Sequence, residues 1–323
     1  MKPRIITVIP VYNGSEFILQ ALESVARQTL RPDRLIVLDD CSTDDSEQVV
    51  KSFTLMPFEW VRNEKNLGLF GNSNQALGYA EETDYLHMLH QDDAIQPQFY
   101  ETLTRSLEPC DGYGMAFCLD ERIDGKNQRL SVSGRVDGRT VEKRLDEFLC
   151  RKAEISNQAW SATLLKTHYQ KAPCQFRLDM PILGDMVFWA DWGVNCKKIF
   201  EVRLPLAQYR WHGTNATTRF APSIQSLILD EWRTMEMNEA LRGKGMGLER
   251  KLKLKGLLSV RSNIKAKRFR QNGNTEYSNE IVRAAKAITG TPLWLAGRLL
   301  VEIRDLVIYK IQRRPRNPKN VYS

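Results

Sequence analysis

No apolar run in this sequence approaches the roughly 18 residues that suggest a membrane-spanning helix. The opening stretch, MKPRIITVIPVYNG, is interrupted by proline and polar groups after a short apolar run. A secretory signal needs a longer apolar centre and a small-residue cleavage site. The expectation is a cytoplasmic protein, with peripheral contact at the inner face of the membrane as the only membrane option. The six cysteines (Cys41, Cys110, Cys118, Cys150, Cys174 and Cys196) include no CxxC pair. That spacing disfavours the familiar zinc and disulfide frameworks and makes reduced thiols the expectation. Histidine is scarce, with four residues and no HExxH spacing, so His87, His90 and His168 read as structural. The segment GLFG is not a GxGxxG, and no dinucleotide site follows from it.

Charge is abundant but uneven. The net charge is +8, and from Ser223 onward 21 basic residues face 9 acidic ones, giving +12. The first 222 residues therefore carry −4, so the basic character belongs to the C-terminal part alone. With 323 residues, 42% hydrophobic and 27% charged, the chain has the composition of an ordinary folded protein with room for one large domain and an appendage.

Periodicity predicts an α/β domain. Strands are expected at 5–11, 35–38, 58–61 and 85–89. Helices are expected at 15–28 with Ser15 as N-cap, from Thr43 or Asp44 to about Phe53, and over 71–80. Such alternation implies a mostly parallel sheet flanked by helices, Rossmann-like in layout. Short apolar runs at 115–119, 199–204 and 206–211 read as an elaboration of that sheet. Residues 1–222 form the expected main domain. Residues 223–323 form a basic helical extension, with helices at 224–241, 248–270, 276–288 and 292–311. The last ten or so residues, within RRPRNPKNVYS, are expected to be disordered.

Ligands of open parallel sheets bind outside the carboxyl ends of the strands. Three predicted strands end there in polar clusters: Tyr12-Asn13, Asp39-Asp40 and Asp92-Asp93. The two acidic clusters each have a plain alternative. Asp39-Asp40 could form a turn with Asx-type hydrogen bonds, and Asp92-Asp93 could cap a helix near Pro97.

VIPVYNG at 8–14, VLDDCSTDDS at 37–46, NEKNLG at 63–68 and HQDD at 90–93 together resemble the family 2 glycosyltransferases. LGDMVFWADW at 183–192 is similar to the family segment that carries the catalytic carboxylate. The resemblance covers roughly residues 4–215. It implies a GT-A fold and an inverting, metal-dependent transfer of a hexosyl or N-acetylhexosaminyl group from a nucleotide sugar, most often a UDP-sugar, to an acceptor hydroxyl. Surface polysaccharide or glycolipid synthesis is the implied setting, with a glycan or lipid-linked glycan as acceptor.

By the same resemblance, Pro10, Tyr12 and Asn13 cradle the base, while Asp39 and Asp40 face base or ribose. Asn66 and Gly68 pass close to the donor. Asp92 is a ribose or metal contact, and Asp93 is the ligand of a divalent cation, Mg or Mn. Asp185 is the base that takes the acceptor proton, or else a helix cap. His212 ligates the metal or is structural, and Arg210 is an alternative phosphate partner. Two departures stand out, Gln91 where many relatives have an acid and Gly184 where the family has the first of two acids. They keep a non-catalytic sugar-nucleotide-binding scaffold open as an alternative. A nucleotidyltransferase is disfavoured, since GSEFILQ supplies no Gly-rich basic loop for a triphosphate. In the basic extension, Leu295, Leu299, Ile303 and Leu306 make an apolar stripe beside Trp294, with Arg298, Arg304 and Lys310 nearby. That pattern suits packing on a helix or contact with an anionic membrane surface. Nucleic acid is not an expected partner, because the basic run lacks interleaved aromatics.

Overall fold

The computed structural model describes residues 4–145, 147–148, 160–180, 182–212, 224–241 and 247–312. The segment expected to be disordered at the C-terminus lies outside the described residues. The chain divides into two compact units, Met1–Arg219 and Phe220–Ser323.

The first unit is built on a ten-stranded sheet. Its strands are β1 (Ile5–Val11), β2 (Arg34–Asp39), β3 (Glu59–Arg62), β4 (Tyr85–Met88), β5 (Ala94–Ile95), β6 (Gly114–Asp124), β7 (Arg129–Val132), β8 (Thr140–Lys143), β9 (Thr163–Lys166) and β10 (Lys198–Trp211). The order is β3-β2-β1-β4-β9-β6-β10-β5, with β7 on β6 and β8 on β10. β1 pairs in parallel with both β2 and β4, and β2 with β3. β9 runs antiparallel between β4 and β6, which makes β6 and its parallel neighbour β10 run with β4. The two apolar runs at 199–204 and 206–211 are one strand. It passes through Pro205 by shifting register, which absorbs the missing N–H of proline.

Helices α1 (Ile18–Ala26), α2 (Ser46–Lys51), α3 (Gly68–Leu77) and α4 (Phe99–Leu107) connect the early strands. α1 starts three residues later than expected, and Ser15 does not cap it. Ser15 instead gives its N–H to Asp44. Helix α5 (Gly184–Asn195) buries Met186, Val187, Phe188, Trp189, Ala190 and Trp192. A helix with so broad an apolar surface packs into a core. Its rings stack with Trp160 of the short 3-10 turn Trp160–Ala162 and with Phe176.

The second unit is helical: α6 (Ile224–Leu241), α7 (Leu248–Gln271), α8 (Thr275–Thr289) and α9 (Thr291–Gln312). Ile228, Trp232, Leu258, Ile281 and Trp294 form its core. Asn274 caps α8 by accepting the N–H of Tyr277 at 3.1 Å.

Beneath the sheet edge runs a buried polar chain. The Thr7 and Tyr100 hydroxyls lie 2.5 Å apart, and Tyr100 is 2.8 Å from His87 Nδ1. His87 Nε2 sits 3.2 Å from the Ser161 carbonyl, which can only accept. That contact settles the tautomer: Nε2 carries the hydrogen, Nδ1 accepts from Tyr100, and Tyr100 accepts from Thr7. Burial pushes the His87 pKa down to about 3, so the ring is neutral in the native state. Its unfolded value is ordinary, so the unfolded chain binds this proton first. The stability it contributes is complete above about pH 6.5 and is lost as pH falls towards 3. Between pH 7 and 5 the wild type should lose about 2 kcal/mol more than His87→Gln in urea denaturation. Parallel pH dependences would contradict the assignment.

Candidate active site

The carboxyl ends of β1, β2, β4 and β10 and the start of β9 lie along one edge of the sheet, as their pairing directions require. The polar clusters expected at separate strand ends therefore meet in one region.

Its anchor is Asp93, 1% exposed. Oδ1 accepts the Arg210 N–H at 2.9 Å, and Oδ2 accepts the Ser161 hydroxyl at 2.6 Å. Ser161 Oγ in turn accepts the His90 N–H at 3.1 Å. One buried carboxylate thus ties the end of β4 to the turn before β9 and to the end of β10. The helix-cap alternative fails, because α4 begins at Phe99 with Gln98 as its N-cap and no side-chain cap.

Asp92 stands further out. Its Oδ2 lies 3.0 Å from His212 Nε2, with side chains 19% and 14% exposed respectively. The His212 ring rests against Phe17 at 4.9 Å. His90, Asp92 and Asp93 each offer one ligand atom, and these atoms lie within 4.8 Å of one another. His90 was expected to be structural; its ring instead joins the carboxylates. The sequence signal for it was the H-x-D-D spacing itself, which puts residue 90 on the same side of the turn as Asp92.

Electrostatics agree with a cation site. Burial, and then the charge of Asp92, push Asp93 well above the usual carboxylate range. Burial would raise Asp92 too, but the His212 hydrogen bond and the fields of His90 and His212 hold it below that range. The His90 ring, still 31% open to solvent, is lowered by burial against the opposing charges of Asp92 and Asp185. Two adjacent carboxylates that cannot both ionise cheaply, joined by imidazole nitrogen, form a donor set suited to a divalent ion.

Asp185 sits in the first turn of α5, near enough to His90 to influence its titration, and its Oδ1 accepts the Met186 N–H at 2.8 Å. Gly184 has no room for a side chain: a Cβ there would meet Phe70 Cε2 at 2.7 Å. The missing acid is thus a packing consequence. Phe70 stacks on Phe176, Phe176 on Phe188, and both Phe176 and Phe188 lean on Trp160, the neighbour of Ser161. The aromatic cluster therefore positions Asp185 and the Asp93 anchor together. Of the other nearby acids, Asp179 pairs with Arg177 at 2.8 Å, and Asp191 lies on α5, raised by burial.

Asp39 and Asp40 are 0% and 2% exposed, and their oxygens hold the walls of the region. Asp39 pairs with Arg62 at 2.6 Å and accepts the Ser42 N–H at 3.0 Å. Asp40 accepts from Asn63 Nδ2 and from the Leu67 and Gly68 N–H groups at 2.8 to 2.9 Å. Asn66 donates to the Asp40 carbonyl, and Gly68 adopts φ +74°, a left-handed turn that favours glycine. Tyr12 is 43% exposed on the β1 loop, next to half-buried Pro10 and Asn13. Asn13 Oδ1 accepts the Thr43 N–H at 2.8 Å, joining the β1 and β2 loops. Gln91 has its own reason to be an amide. Its Oε1 accepts the Tyr12 N–H at 2.8 Å and its Nε2 donates to the Tyr12 carbonyl at 3.2 Å. An acid could not return the second bond.

The Arg210 guanidinium is turned to partners within the chain. The side chain is 1% exposed and its donors go to the Asp92 carbonyl, the Asp124 carbonyl, Asn127 and Gln20. Phe17 covers the guanidinium at 4.6 Å.

With this geometry in view, residues 6–154 match the sequence model of glycosyl transferase family 2. Over that stretch, somewhat under half of the sequence, the chain resembles a family 2 glycosyltransferase. The succinoglycan biosynthesis protein ExoO of Rhizobium meliloti is 26% identical over 40% of this chain and 37% of its own length. The glycosyltransferase GlyG of Streptococcus pneumoniae is 26% identical over 52% and 56%. Matches to the first curated relatives thus span between about a third and just over half of their lengths. Among solved structures, S. aureus TarS 1-349 in complex with UDP-GlcNAc superposes with TM-score 0.54 at 14% identity, covering 89% of this chain and 92% of that one. The likeness shows the GT-A fold, and Gln91 and Gly184 are accommodated within it by their own contacts.

Replacing Gln91 with Glu removes the donor to Tyr12 and adds a charge beside Asp92. A loss of about 1–3 kcal/mol in chemical denaturation is expected. Unchanged stability would show that the amide does not join the two loops.

Proposed function

We propose that this protein is an inverting, metal-dependent glycosyltransferase that moves a hexosyl or N-acetylhexosaminyl group from a nucleotide sugar onto an acceptor hydroxyl of a surface polysaccharide or glycolipid. The observation that carries this reading is the gathering of His90, Asp92, Asp93 and His212 at one sheet edge, with Asp185 close by. A UDP-sugar is the favoured donor, in line with the UDP-GlcNAc bound to TarS.

Tyr12, exposed on the β1 loop, offers its ring to the base, with Pro10 and Asn13 shaping the backbone beside it. Asn66 and Gly68 line the donor side. Asp39 and Asp40 act on the donor through the loops they hold. Asp92 is the leading ligand for Mg or Mn, helped by His90 and His212; Asp93, already engaged by Ser161 and Arg210, completes the set from behind. When bound, the cation neutralises the charge that develops on the departing diphosphate.

Asp185 takes the acceptor proton as the acceptor oxygen bonds to the anomeric carbon. The bond from that carbon to the phosphate oxygen breaks in the same step, and the nucleoside diphosphate leaves with the electron pair. One displacement inverts the configuration. Asp185 lies in the first turn of α5, where a helix N-terminus favours an anion.

A non-catalytic scaffold was the main alternative. It rested on Gln91 and Gly184, and each of these now has a packing reason that leaves the carboxylates in place.

Kinetics on two variants test the proposal. Asp185→Asn should retain donor affinity and lose about 10²–10⁴-fold in kcat. Asp92→Asn should weaken donor binding in the presence of Mn and leave the metal-free affinity unchanged. Full turnover by Asp185→Asn would overturn its role as base.

A further inference from the structure

The second unit carries a feature that sugar transfer does not use. On α9, Leu295, Leu299, Leu300 and Ile303 are 53%, 58%, 58% and 47% exposed. At 3.6 residues per turn they fall within an arc of about 140°. Trp294 and Val301, 3% and 4% exposed, lie on the opposite side, where Gly297 packs closely on Ser259 of α7. The helix is thus anchored by one face and presents a second apolar face outward. A scattered exposed leucine needs no explanation, whereas four on one arc do.

Charge says what covers that face. The unit carries +12, and two of its nine acids, Asp230 and Glu231, are buried inside it at 1% and 2% exposure. Glu231 is neutralised by Lys265, and Glu302, beside the apolar arc, pairs with Arg298 at 3.1 Å. Each of these pairs cancels one charge of either sign, so the unit keeps its net +12. A second copy of so basic a unit would be repelled, while an anionic bilayer surface is attractive to it from any approach. No described helix is long and apolar enough to cross a membrane, so contact of this face with a bilayer would be interfacial.

We infer that α9 docks this protein on an anionic lipid surface, with Leu295, Leu299, Leu300 and Ile303 entering the headgroup boundary and the basic charge of the unit holding it there. This goes beyond the catalytic reading and does not depend on it. If both hold, transfer takes place at the membrane face, where a lipid-linked acceptor would be within reach.

Sedimentation of the full chain with vesicles tests the inference without reading activity. The probes are vesicles of equal parts phosphatidylglycerol and phosphatidylcholine, and vesicles of phosphatidylcholine alone. The wild type should bind the anionic vesicles, release them at high salt, and bind the neutral ones weakly. L299Q/I303Q, which alters only exposed positions, should keep the native circular dichroism and bind the anionic vesicles about tenfold less tightly. Failure of the wild type to bind anionic vesicles would overturn the inference. So would unchanged binding by L299Q/I303Q, or a wild-type dimer that this variant turns into a monomer while vesicle binding persists.

Discussion

The site depends on one carboxylate that cannot reach water. Asp93 must find donors inside the protein, and it finds them on stretches 68 and 117 residues away, Ser161 and the Arg210 backbone. An unsatisfied buried carboxylate would be heavily penalised, so these contacts must form as the chain folds. Forming them brings the ends of β4 and β10 and the start of β9 together. His90, Asp92 and His212 then face one another because their neighbours in sequence are already fixed. The partly buried residues of the cluster carry the proposed chemistry, and the hidden one carries the geometry.

Two further constraints act on the same edge. The aromatic group of Phe70, Phe176, Phe188, Trp160 and Trp189 connects α3, α5 and the turn that holds Ser161. A shift in any of these elements would move Asp185 and the Asp93 anchor together, which helps keep the proposed base and the proposed cation site in register. The buried relay from Thr7 through Tyr100 and His87 reaches the same turn from below. Preorganisation of this kind lets fixed dipoles meet developing charge without rearranging.

Much of the architecture could be read from the chain. The strand at 5–11 and the helix at 224–241 have the bounds that their apolar residues led one to expect. Helix α1 was harder to place, because residues 15–17 form a turn stitched to Asp44, a contact across 29 residues that local propensity cannot show. The split of β10 at Pro205 misled for a similar reason: register slippage repairs in the sheet what looks like a break in sequence. Within the site, motif resemblance drew attention to the acids but hid His90, which looks like an ordinary strand-end histidine until Asp92 is placed beside it. Arg210 was a natural phosphate partner on charge alone. Only the fold shows that its guanidinium is enclosed by Phe17, Gln20 and Asn127.

The central claim is that carboxylates and imidazoles from distant stretches meet around one nucleotide diphosphate. Its most direct measurement is a crystal structure with Mn and a nucleoside diphosphate, read by anomalous scattering. The account predicts a single manganese peak in contact with Asp92 and a histidine of the cluster, with the base against Tyr12. Nucleotide bound at another edge of the sheet, or manganese remote from Asp92, would contradict it.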